Sequence, residues 1–198
     1  MRSLRSGLCA MGWALLCVLA FAPHAQAGQG ITVVNEGGIK DKWMLAEGVP
    51  LAVPQYPPQF VRRHDTVCIG LGYLLNPDGT TSDFALVKAW TSAGTSEPEE
   101  GYWGSFAESA ASALKQWRFK PRPEVAQAQP VYTIATFVFG GTGAANEFRS
   151  RCAVPKLALR LRELRATKDR RVTTNILDRL DLEDVAATNA ADTRRPMN

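Results

Sequence analysis

A single helical segment stands between two stretches of alternating apolar residues, and this order restricts the 198-residue chain to a small mixed sheet. Val67 to Trp90 is predicted as a β-hairpin folded about the turn Asn76-Pro77-Asp78-Gly79. The run Phe106 to Pro121 begins after a Gly-containing loop and ends at a proline, which predicts a helix. Val131 to Phe139 then alternates with the period of a strand. The helical run has one apolar stripe, made of Phe106, Ala110, Ala113, Leu114 and Trp117.

These elements predict an α+β fold of ββαβ order, with a small antiparallel three-stranded sheet and one crossover helix. A right-handed crossover places the strands in the order 2-1-3, so that the third strand is an edge. Its core-facing residues are predicted to be Val131, Thr133, Ala135, Phe137 and Phe139. The outward residues are then Tyr132, Ile134, Thr136 and Val138. Because they include no lysine or proline, this edge is open to pairing with another chain unless something covers it.

Two parts of the chain could cover that edge. One is the N-terminal extension, residues 28–52, in which Ile31 to Val34 and Trp43 to Leu45 read as short strands or as a docked arm. The other is the tail after Gly143. The domain itself is predicted over residues 53–140.

The first 27 residues have the pattern of a secretory signal. Arg2 and Arg5 precede an apolar stretch from Leu8 to Ala22, and Ala25-Gln26-Ala27 forms a cleavage site. An uncleaved anchor in the inner membrane is the alternative. Removal of the two arginines leaves 21 basic against 19 acidic residues, a net charge of +2. This small excess gives no support for a nucleic-acid partner.

Signal cleavage leaves two cysteines, Cys68 and Cys152. In an oxidising compartment, two cysteines indicate one disulfide. A structural bridge is favoured over a redox pair, because the chain has no C-x-x-C motif.

The sequence offers no catalytic constellation, so the protein is predicted not to be an enzyme. His64 is the only histidine after the signal, and it has no cysteine or second histidine nearby with which to bind a metal. The serines lie outside any nucleophile elbow, and no glycine cluster forms a nucleotide loop. No catalytic residue, metal site or cofactor is therefore predicted.

Residues 141–184 are predicted to form a Gly-rich linker and basic amphipathic helices. One stripe consists of Val154, Leu157, Leu161 and Leu164 and is surrounded by arginines. This helix could dock on its own domain, or it could contact an anionic membrane surface or an acidic partner. Residues 185–198 are Ala- and Asp-rich, and a disordered tail is predicted there.

Several motifs in this order resemble the TonB C-terminal domain. They are Pro54-Gln55-Tyr56-Pro57, the Asn76–Gly79 turn, Trp117-Arg118-Phe119-x-Pro121, and Pro130-Val131 leading to Phe139. The resemblance implies a periplasmic domain that binds an extended peptide of an outer-membrane transporter, or of another envelope protein, by strand addition. The implied contacts are Gln59, Arg62 and Arg63 together with Val131, Tyr132, Thr133, Ile134, Ala135, Thr136 and Phe137.

The chain departs from the family pattern in three places. It has a cleavable signal where the family has a membrane helix and a Pro-rich spacer, its loop after the second strand is longer and acidic, and it has an Arg-rich tail. The first departure argues against energy transduction unless the signal is retained as an anchor. A structural or assembly protein that dimerises through the same edge strand is the other alternative.

Overall fold

The computed structural model describes residues 30–94, 98–140 and 145–167, together with residues 177, 179, 180 and 182. The predicted signal and the predicted disordered tail lie outside these residues. Within them, no helix has the length and apolar character needed to span a bilayer. The elements in chain order are β1 (Thr32–Val33), β2 (Trp43–Leu45), β3 (Val67–Leu75), β4 (Thr81–Thr91), α1 (Tyr102–Leu114), β5 (Phe119–Pro121), β6 (Val131–Phe139), α2 (Ala145–Cys152) and α3 (Leu157–Thr167), with 3₁₀ turns at Gly38–Asp41 and Pro58–Arg63.

The main sheet has four strands in the order β1-β6-β3-β4. The three predicted strands lie side by side as β4, β3 and β6, and β3 is antiparallel to both neighbours. The predicted count of three strands is wrong, because β1 from the N-terminal extension adds a fourth. β1 runs parallel to β6 and pairs with its first two residues.

The helix is shorter at its C-terminal end than the sequence predicts. α1 ends at Leu114, and the residues before the proline form β5, which pairs with β2 in a separate two-stranded sheet. The main chain of these residues has its hydrogen-bond partners outside the helix. The Phe119 N–H donates to the Gly79 carbonyl over 3.0 Å, and the Arg118 carbonyl accepts from the Ala46 N–H over 2.9 Å. The prediction that the helix continues to Pro121 is therefore wrong.

The first core lies between the sheet and α1. Along β3 the bulky side chains face this helix, as the alternation predicts. Phe106 is fully buried, and its ring centroid lies 4.9 Å from those of Tyr102 and Phe139. The residues of β6 predicted to face the core also do so, and the buried ones in this cluster are Val131, Ala135, Phe137 and Phe139.

A second core covers the opposite face of the sheet. Tyr132, Ile134 and Thr136 were predicted to face outward, but they are 0%, 2% and 4% exposed. That prediction is wrong because the apolar stripe of α3 packs on this face of β6 and β4 over Tyr132 and Ile134, and the Glu36 carboxylate covers Thr136. Val154, Leu157, Leu161 and Leu164 are all buried in this cluster, so the docked alternative for the tail is confirmed over α3.

The Tyr132 ring occupies space left by a glycine on the neighbouring strand. A Cβ at Gly72 would lie 2.5 Å from the Tyr132 Oη and 3.0 Å from the ring, so a side chain there would require the ring to move. The buried Oη has no hydrogen-bond partner among the described residues.

We expect Tyr132→Phe to unfold within about 1 kcal/mol of the wild-type protein, or to be slightly more stable, because it removes a buried hydroxyl that lacks a partner. Urea unfolding followed by tryptophan fluorescence measures the difference. A loss of about 2 kcal/mol would show that the hydroxyl is hydrogen-bonded in solution.

The predicted disulfide is confirmed. Cys68 at the start of β3 is bonded to Cys152 at the end of α2, with a Cα–Cα distance of 6.0 Å. Both cysteines are fully buried. The bridge therefore fixes α2 against the central strand.

Candidate functional site

The outer edge of β6 is the surface on which the sequence predicts partner binding, and β1 covers part of it. Thr32 pairs with Val131 and Val33 pairs with Tyr132. The Val34 N–H then donates to the Tyr132 carbonyl over 2.9 Å. The prediction of an edge that is open along its whole length is therefore wrong at the first two residues of β6, where the N-terminal extension already forms a neighbouring strand.

Beyond these two residues a side chain takes the place of a strand. The Thr136 N–H donates to Glu36 Oε1 over 2.9 Å, and the Thr136 hydroxyl donates to Oε2 over 2.8 Å. Arg149 from α2 donates to the same Oε1 over 2.8 Å. A carboxylate, rather than a peptide carbonyl, accepts the main-chain hydrogen bond at this point of the edge.

The rest of this edge has no neighbouring strand among the described residues. The Tyr132 carbonyl and the Thr136 N–H both point away from β3. Since main-chain groups of alternate residues in a strand point to the same side, Ile134 and Val138 present their N–H and C=O groups to the same edge. The second half of β6 therefore keeps the hydrogen-bonding pattern that an added strand needs.

An apolar groove runs beside this half of the strand. The edge groove lies between residues 133–137 of β6 and residues 51–54, with a volume of about 360 Å³. Its other walls include Leu45, Trp117 and Phe119, and Glu36 and Arg149 also line it. Leu51 is 48% and Val53 is 72% exposed, so apolar side chains here face water. Exposed apolar surface beside a strand edge is typical of a protein-binding site.

Trp117 holds the far wall of the edge groove in place. Its indole N–H donates to the Ala52 carbonyl over 2.9 Å. Its ring centroid lies 5.8 Å from that of Phe137 and 6.3 Å from that of Phe119. Trp117 therefore links the wall at Ala52 to the first core.

The carboxylate of Glu36 also affects a tyrosine in the wall of the groove. Burial raises the pKa of Tyr73, and the negative charge of Glu36 raises it further. Tyr73 therefore stays neutral in the physiological pH range, and Glu36 and Arg149 supply the charges among the groove-lining residues.

Five of the seven predicted β6 residues line the edge groove, and two do not. Residues 133–137 contribute to it, whereas Val131 and Tyr132 are paired with β1. At Tyr132, Ile134 and Thr136 it is the main chain that lies at the edge. The side chains of Tyr132 and Ile134 are buried in the second core, and the Thr136 hydroxyl is buried and bonded to Glu36.

The other predicted contacts lie at a different place. Gln59 donates to the Ser105 hydroxyl over 2.8 Å, and Arg63 forms an ion pair with Asp65 at 2.7 Å. Arg62 is exposed on the same 3₁₀ turn. None of Gln59, Arg62 and Arg63 lines the edge groove, and their part in binding stays a prediction.

Sequence reasoning missed the groove residues that come from outside β6. Glu36 and Arg149 are far apart in sequence and meet only because β1 and the disulfide bring their segments to one edge. One signal was available for the far wall. Apolar Leu51 and Val53 stand in a proline-rich segment that is not regular secondary structure, and such residues are often exposed.

No family model matches the chain, and no curated protein matches it. It is similar to two solved TonB C-terminal domains. The solution structure of the Pseudomonas aeruginosa TonB C-terminal domain is 17% identical, with a TM-score of 0.39 over 52% of this chain and 89% of that one. The Helicobacter pylori domain (residues 179–285) is 19% identical, with a TM-score of 0.32 over 46% of this chain and 72% of that one. TM-scores below 0.5 do not define a shared fold, so the functional proposal rests on the geometry of this chain.

Proposed function

We propose that this protein is a periplasmic binding module that takes up an extended segment of another envelope protein, such as an outer-membrane transporter, by strand addition. The observation that carries the proposal is the second half of β6, where main-chain groups without a neighbouring strand lie along an apolar groove. The added segment would pair with the edge from about Thr133 to Phe139. It would direct alternate side chains into the edge groove.

Strand addition separates the sources of affinity and specificity. Main-chain hydrogen bonds to Ile134 and Val138 would hold any extended segment of suitable length. The apolar wall made by Leu51 and Val53 would then favour segments with branched aliphatic side chains at alternate positions, since these bury the most apolar area.

Two further features support the periplasmic setting. The predicted signal would direct export, and a buried disulfide is typical of proteins that fold in an oxidising compartment. The TonB-like motifs from Pro54 to Phe139 support an envelope partner. No catalytic step enters this proposal, because binding alone is what an edge and a groove can do.

We expect Val53→Lys to weaken peptide binding about tenfold or more, since it places a charge in the wall that should receive apolar side chains. Leu159→Lys is the matched control, because Leu159 on α3 is also exposed but lies outside the edge groove and away from every predicted contact. The measurement is a titration of ¹⁵N-labelled mature protein with blocked peptides from candidate transporters. Amide shifts should concentrate in residues 133–139.

Peptide binding that leaves residues 133–139 unshifted would contradict strand addition at this edge. Light scattering provides a second check. A dimer that persists on dilution and binds no peptide would assign the same edge to assembly with a second copy instead.

A further inference from the structure

Thr136 and Arg149 together hold a carboxylate, and in the free protein that carboxylate belongs to Glu36. Three donors converge on it, namely the Thr136 N–H, the Thr136 hydroxyl and the Arg149 guanidinium, at 2.9, 2.8 and 2.8 Å. We propose that these two residues form a carboxylate site for the ligand, and that a bound strand places an acidic side chain where Glu36 now lies. This inference rests on the strand-addition function proposed above.

The Thr136 N–H is the main-chain donor that the Glu36 carboxylate occupies. The residue is 4% exposed with Glu36 in place, and a strand seated on this edge would keep water from its N–H after Glu36 leaves. A buried N–H without an acceptor is costly, and an incoming strand must therefore supply one at this position. The ligand therefore replaces Glu36 as the acceptor of the Thr136 N–H.

The three donors at this site favour a carboxylate over a main-chain carbonyl as the acceptor that replaces Glu36. A main-chain carbonyl could accept from the Thr136 N–H, but it would leave the hydroxyl and Arg149 without their present partner. A carboxylate has two oxygens and satisfies all three donors at once. Hydrogen bonds to a charged group are also stronger than neutral ones, so an acidic side chain is the better replacement for Glu36.

The Glu36 carboxylate can be replaced by a ligand carboxylate at little cost in stability. The side chains of Glu36 and Arg149 are 32% and 48% exposed. An ion pair that is this accessible to water contributes little to stability, so replacing one carboxylate by another is inexpensive. Asn35 is held in place because the Thr133 hydroxyl and the Leu157 N–H donate to its oxygens. The exchange therefore requires only the Glu36 side chain to leave, and β1 keeps its pairing with β6.

The experiment compares two blocked peptides of alternating valine and threonine, one with a central glutamate and the other with glutamine there. Binding to Glu36→Ala protein is followed by NMR. We expect the glutamate peptide to bind about tenfold more tightly, because the vacant site accepts its carboxylate. It should also bind Glu36→Ala more tightly than wild type, where Glu36 competes.

Two variants locate the effect. In Glu36→Ala/Arg149→Met protein the preference for glutamate should fall below about threefold. Arg151→Met is the control, because Arg151 lies on the same helix but over the Trp90 ring, with its guanidinium carbon 5.6 Å from the ring centroid. A third peptide, with glutamine and a free C-terminal carboxylate, tests the source of the charge. Binding as tight as that of the glutamate peptide would overturn the assignment to a side chain.

The outcomes separate this site from the proposed function. Equal binding of the glutamate and glutamine peptides would leave strand addition intact and overturn the carboxylate site. If neither peptide binds, strand addition fails, and propionate added to Glu36→Ala protein decides the site separately. A propionate-dependent shift of the Thr136 amide that is lost in Arg149→Met would support a carboxylate site, and no shift would overturn it.

Discussion

Cys68→Ser is expected to lower the free energy of unfolding by about 4 kcal/mol. The disulfide joins residues 84 positions apart, so its loss restores much conformational freedom to the unfolded chain. It also leaves a hydroxyl and a thiol in a fully buried environment. Chemical unfolding of the mature protein under oxidising conditions measures the loss.

The double variant Cys68→Ala/Cys152→Ala serves as the control, because it breaks the bridge without burying a hydroxyl. Wild-type protein unfolded in a reducing agent should show a similar loss. Alkylation of both thiols in native protein that has not been reduced would contradict the bridge. Breaking the bridge should also alter the edge groove, because the bridge keeps α2, and with it Arg149, beside β6.

We expect Gly79→Ala to destabilise the protein by about 3 kcal/mol. Gly79 has a φ of +80°, which is strained for any residue with a Cβ. An added Cβ would also overlap the main-chain oxygen of Phe119, and main chain cannot move aside as a flexible side chain can. The clash would push β5 away from the hairpin turn, and Phe119 in the wall of the edge groove would move with it.

Gly101→Ala is the matched substitution. Gly101 has a φ of +75° but no atom within 4 Å of an added Cβ, so only the conformational strain of about 1 kcal/mol should appear. Thermal unfolding of both variants gives the comparison. Equal losses at Gly79 and Gly101 would show that the contact with Phe119 contributes nothing.

Local patterns were sufficient to predict the centre of the fold. The alternation along β3 and β6, the Asn76–Gly79 turn and the apolar stripe of α1 each depend on residues close in sequence, and each element forms. The end of α1 could not be predicted in this way. The Phe119 N–H bonds to Gly79, and that partner is 40 positions away, so no helical signal near Pro121 could reveal it.

The same distinction explains the site. The strand that carries the candidate edge was predicted, because its pattern is its own. The segment that pairs with the start of β6 could not be identified from the sequence, because β1 is two residues long and such a short strand has little sequence signal. The burial of Tyr132 and Ile134 likewise depends on where α3 docks. An apolar stripe predicts that a helix packs against a surface, but it does not identify that surface.

The parallel pairing of β1 with the start of β6 limits the length of strand that can be added to this edge. β6 has nine residues and β1 occupies two, so seven remain, which at about 3.4 Å per residue is roughly 24 Å of strand. A longer segment would have to remove Ile31 and Val33 from the second core, at a cost of several kcal/mol. In the strand addition proposed above, the N-terminal extension would therefore limit the paired length of a partner to about seven residues.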